Sequence, residues 1–112
     1  MPSADAFRRI ALALPGAEEG AHMGHADFRV GGRIFATLGY PDASFGMVNL
    51  LPEQREDFMT LAPEAFGPAA GAWGRSGSTL VRLDKVPHDV LETALAAAWR
   101  KRAPRRLLDP PG

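Results

Sequence analysis

His22, His25 and Asp27 are the closest grouping of side chains in this sequence that could move a proton or hold a metal ion. A metal centre would need both imidazoles and the carboxylate to converge, with a fourth ligand or water completing the shell. Residues 22 and 25 on one extended strand point to opposite faces, so convergence would require a turn at Gly24. Nucleophilic chemistry has less to build on. Ser44, Ser76 and Ser78 stand in glycine-bearing turns, and none sits in a Gly-x-Ser-x-Gly elbow. Turn formation accounts for all three. Glu18 and Glu19 are adjacent, hence on opposite faces of a strand, and make no acid/base pair. Gly31-Gly32 leads into no phosphate-loop or dinucleotide fingerprint. The residues therefore define no catalytic set, no metal site and no cofactor site, and the expectation is a non-enzymatic protein.

The cations are more suggestive. Arg29, Arg33, Arg75 and Arg82 fall in segments with strand character, and Arg100, Lys101, Arg102, Arg105 and Arg106 crowd the end of the chain. The terminal group could neutralise phosphates one by one, giving modest affinity with steep salt dependence. Cations at a helix C-terminus are also favoured by the helix dipole and by its free carbonyls. If the strand arginines share one open face with Phe35 and Tyr40, a basic surface interleaved with aromatics results. Asp27 and Asp84 are the carboxylates that could pair with them instead. Charge is distributed to match: residues 1–98 hold 8 Lys/Arg against 12 Asp/Glu, and residues 99–112 hold 5 against 1, so a mildly acidic body carries a basic end although the net charge is zero. That neutrality counts against a dedicated nonspecific DNA binder, which is usually plainly basic.

These groups need elements to position them. Phe28 and Val30 precede Gly31-Gly32, and Ile34, Ala36 and Leu38 follow it, an alternation of period two around a pair that supplies the positive φ of a tight turn. The stretch is a β-hairpin, and its other face would carry Asp27, Arg29, Arg33 and Phe35. Upstream, Ser3 can cap a helix to about Leu14, with Phe7, Ile10, Ala11 and Leu14 as its apolar stripe, stopped by Pro15-Gly16. Ala17 to Met23 reads as a weak edge strand. Downstream, Phe45 to Leu50 resumes the alternation after a turn at Gly39 to Ser44. Pro52 opens a short helix ending near Leu61, with Phe58, Met59 and Leu61 as core contacts. Pro63, Gly67, Pro68 and Gly71 make an irregular connector anchored by Phe66.

Ala72–Arg75 and Ser78–Leu83 suggest a second hairpin, with Trp73, Val81 and Leu83 for burial. The last helix opens at Pro87, just before His88, which is expected to be exposed. Leu91, Ala94, Leu95, Ala98 and Arg102 trace one of its faces, Trp99 is a packing anchor, and Pro104 ends it. Residues 107–112 read as a flexible tail. The order is α, three or four strands, α, two strands, α. It specifies an α+β two-layer sandwich: a mostly antiparallel sheet of about five strands with three helices on one face.

At 112 residues, one domain is expected. With no cysteine, disulfides, cysteine-containing zinc sites and thiol nucleophiles are excluded. No apolar run approaches the roughly 18 residues of a membrane helix, and the N-terminus lacks a secretory pattern, so no membrane partner and a cytoplasmic location are expected.

The run from Gly24-His25 through Phe28-Arg29-Val30 and Gly32-Arg33-Ile34-Phe35-Ala36 resembles the central signature of the MmcQ/YjbR family. Leu14-Pro15-Gly16-Ala17-Glu18-Glu19, the Trp73 region, Val81-Arg82-Leu83 and the final helix extend the resemblance over nearly the whole chain. The family usually has Lys where Arg33 stands, and many members have Ser-Tyr where this chain has Ala98-Trp99. The resemblance implies a frataxin-like, double-wing α/β domain with no established reaction. It gives His25 a hydrogen-bonding role at the turn and makes DNA the implied partner, contacted through the open sheet face and the basic terminal helix. The alternative is a protein- or small-anion-binding module in which the arginines grip carboxylate or phosphate bidentately.

Overall fold

The alternating and helical patterns resolve into ten elements in a computed structural model that describes residues 4–40, 42–69, 71 and 77–108. Helix α1 (Ala4–Ala13) leads into strands β1 (Glu18–His22), β2 (His25–Val30), β3 (Arg33–Leu38) and β4 (Phe45–Asn49). Helix α2 (Pro52–Leu61), strands β5 (Phe66–Pro68) and β6 (Ser78–Arg82), and helices α3 (His88–Arg102) and α4 (Arg105–Leu108) follow. The strands form one antiparallel sheet in the order β1-β2-β3-β4-β6-β5, which puts β1 at an edge, as its glycine and paired glutamates suggest.

The α+β class and the antiparallel sheet flanked by helices are as expected. Two counts are not. Among the described residues the sheet has six strands rather than about five, because the stretch around Gly67 and Pro68 is a short edge strand. A proline is admissible at an edge, where one side of the strand needs no donor. Among the described residues four helices are present rather than three, because Pro104 closes α3 and then starts α4 with its preset φ. Leu107 of α4 packs on the core and against Gly16, so residues 107 and 108 are not a tail. The Ser3 cap, the strand expected at Ala72–Arg75 with Trp73, and residues 109–112 lie outside the described residues.

The core lies between the sheet and the helices. Gly46 marks the helix side, since a Cβ there would stand 2.6 Å from the Phe7 ring of α1. By alternation Ala36, Leu38, Val48 and Val81 share that side, and all are buried. Leu91, Ala94, Leu95 and Ala98 of α3 press on it with no exposed surface. The Trp99 indole N–H donates to the Pro15 carbonyl at 2.8 Å, tying α3 to the end of α1. Phe58 of α2 meets Phe66 of β5 at 5.2 Å between ring centroids. Leu61 is 65% exposed, so α2 anchors through Phe58 and not through its last residue. Among the described residues, no helix is long and apolar enough to cross a membrane.

Candidate functional site

The turn at Gly24 is present, and it reorganises the histidine cluster. Met23 (φ 51°) and Gly24 (φ 80°) both adopt left-handed backbone, the geometry of a two-residue hairpin turn. His22 therefore faces His25 directly across β1 and β2, and Gly20 faces Asp27. His22 becomes the diagonal neighbour of Asp27 on one face, within reach of a side-chain contact. The imidazole Nδ1 and Asp27 Oδ2 lie 2.7 Å apart. Arg29, two residues along the same strand, donates from Nε to Oδ1 at 2.7 Å and from Nη2 to Oδ2 at 3.0 Å. Gly20 permits this closure, because a Cβ there would stand 3.0 Å from Asp27 Oδ1 and 3.1 Å from Arg29 Nε.

Asp27 has no exposed surface. Burial alone would push its carboxyl toward the neutral form, but the Arg29 hydrogen bonds outweigh burial and, with His22, hold the carboxyl below the usual aspartate range. An ionised carboxylate only accepts, so His22 donates from Nδ1 and its free nitrogen is Nε2. Among the described residues, no group of three or more His, Asp or Glu side chains is placed to hold a metal ion. The cluster is an ion-paired bridge between strands that fixes one imidazole.

His22 forms one wall of an open pocket of about 210 Å³, lined also by Phe35, Thr37, Met47, Ser78 and Arg102. A second pocket of about 160 Å³ shares His22 and Thr37 and is closed by Met23, His25 and Tyr40. Phe35 is fully buried in the floor rather than displayed beside the arginines. A register shift between Phe28 and Arg29 separates it from the simple alternation of the hairpin. Arg102 enters from the other side. It continues the inward stripe of Leu91, Leu95 and Ala98, and its Nε is buried with no hydrogen-bond partner among the described residues. Leaving such a donor unsatisfied costs about 1–3 kcal/mol.

The candidate binding residues do not form one surface. Arg29 is committed to Asp27. Arg82 lies over the Phe45 ring at 4.9 Å, a cation–π contact across β4 and β6. Lys101 donates to the Leu50 carbonyl at 3.0 Å, and burial pushes its ammonium below the ordinary lysine value. His25 meets Tyr40 edge-on at 5.7 Å. Arg75 lies outside the described residues. Arg33, Arg100, Arg105 and Arg106 remain: all are exposed, and none makes a side-chain ion pair or hydrogen bond among the described residues. The β2–β3 turn that precedes Arg33 touches the residue that precedes Arg105, since a Cβ at Gly31 would stand 2.9 Å from Pro104 Cδ. The structure thus brings Arg33 to the end of the molecule that carries Arg105 and Arg106.

The sequence places His22 only in a metal grouping and Arg102 only among the terminal cations, and their shared pocket is not legible there. Met23-Gly24 is a weak turn signal because a non-glycine residue must take positive φ. The sign for Arg102 was its place on an otherwise apolar helical stripe.

The YjbR family model matches residues 12–101 of the chain. The fold is similar to that in the crystal structure of Deinococcus radiodurans protein DR2400, a DUF419 domain. The TM-score is 0.74 at 21% identity, over 88% of this chain and 77% of that one. No curated protein matches the chain.

Proposed function

The chain belongs to the YjbR family, and from that premise we propose that it is a non-enzymatic domain that binds DNA through the end where the β2–β3 turn meets α3 and α4. One observation carries this: Arg33, Arg100, Arg105 and Arg106 are exposed cations without an acidic partner among the described residues. Free guanidinium groups are what phosphate recognition needs, and contacts of this kind position a protein on a duplex without reading its sequence. The sheet-face arginines are less suited, because Arg29 and Arg82 already have partners.

Fluorescence anisotropy with a labelled duplex at several salt concentrations tests the reading. Four phosphate contacts give a slope of log affinity against log salt of about −3.6, and losing two of them brings it to about −1.8. Arg105→Ala with Arg106→Ala should produce that reduction. No binding at low salt, or an unchanged slope in the double variant, removes the proposal.

A further inference from the structure

We propose that the larger pocket walled by His22 is a binding site for a small organic carboxylate, anchored by Arg102. It uses different residues from those proposed to contact DNA.

Charge sets the sign of the ligand. Among the described residues the lining contains Arg102 and His22 and no carboxylate, Asp27 being bonded to His22 without lining the pocket itself. Hydrogen bonding sets its head group. Arg102 Nε is buried and unpartnered among the described residues, and the Nε–H edge of a guanidinium lies parallel to a neighbouring Nη–H. That planar fork matches the two oxygens of a carboxylate. The apolar part follows from Phe35 and Met47, which are almost wholly buried yet line the depression together with Ile34. Thr37 and Ser78 add hydroxyl-bearing side chains to the rim.

Size limits the rest. A cavity of about 150 Å³ suffices for benzene, whereas sites for drug-sized ligands run from about 300 Å³ upward. At about 210 Å³ this pocket fits an acid of roughly benzoate size. The bridge from Asp27 holds the imidazole still, so the wall facing Arg102 is formed in advance and need not be ordered on binding.

The test is a titration of the ¹⁵N-labelled protein, followed by NMR, with sodium benzoate, benzamide as the uncharged isostere, and inorganic phosphate as an anion without an apolar body. Benzoate should give saturable shifts at the amides of Thr37, Met47 and Ser78 and should move the Arg102 Nε–Hε resonance. Benzamide should bind at least about tenfold more weakly, and Arg102→Gln should weaken benzoate by a similar factor, the equivalent of about 1.4 kcal/mol. Arg105→Ala should leave benzoate binding as it was. The proposal fails if benzoate gives no saturable shift, if Arg102→Gln binds it as well as the parent, or if benzamide or phosphate matches it. Should Arg102→Gln not fold, the parent's own Nε–Hε resonance decides, and its failure to move with benzoate overturns the assignment.

Discussion

A carboxylate without exposed surface persists in a fold only where its charge is met, and Asp27 is met by three N–H groups from Arg29 and His22. The consequence is a pH dependence with a definite sign. Because the folded carboxyl sits below its ordinary value, Asp27 contributes stability that is fully present above the usual aspartate range and is lost as pH falls through the folded value. Arg29→Met removes the largest of the causes that lower it. Burial, which raises it, is then opposed by His22 alone. The urea midpoint of the parent should fall more steeply between pH 5 and 3 than that of Arg29→Met, with the other carboxylates common to both. Equal slopes would show that Asp27 is not held by Arg29. His22 and Asp27 stand out in the sequence, but their partnership does not. It depends on Met23 taking a backbone conformation that a non-glycine residue seldom adopts, so local pattern pointed away from the contact.

Between elements, the docking of α1 on the sheet rests on the fit of Phe7 over Gly46, where a Cβ would approach the ring at 2.6 Å. Gly46→Ala should therefore cost about 1–3 kcal/mol by overpacking. Phe7→Leu in the same chain should recover part of that loss, and a double-mutant cycle from chemical denaturation reads the coupling. Additive losses would mean that the helix and strand adjust independently. Period two and period 3.6 were visible in the hairpin, β4, α2 and α3 because those segments are long enough to repeat. Phe66-Gly67-Pro68 has three residues and two of the strongest breakers, so nothing in it could repeat, and only pairing with β6 makes it a strand. Pro104 is a stop for α3, and the same fixed φ that ends one helix begins the next.

Over the whole molecule, the acidic body and basic end mean that any anionic partner is drawn by orientation rather than by net charge. The last helix matters twice in this arrangement, since Arg105 and Arg106 are displayed while Leu107 between them and the terminus packs on the core and against Gly16. Cutting the chain at Pro104 would remove charge and packing together, so point substitutions must separate them. Arg105→Ala with Arg106→Ala should leave the melting temperature within about 1 °C of the parent, because exposed side chains without partners contribute little. Leu107→Ala, which truncates a partly buried side chain, should cost about 1–2 kcal/mol and lower Tm by about 4–8 °C per kcal/mol. Measured well below both transitions, duplex affinity should follow the arginine pair and ignore Leu107. If Leu107→Ala weakens DNA binding as much as the double arginine variant while the protein remains folded, then α4 acts by its position and not by its charge.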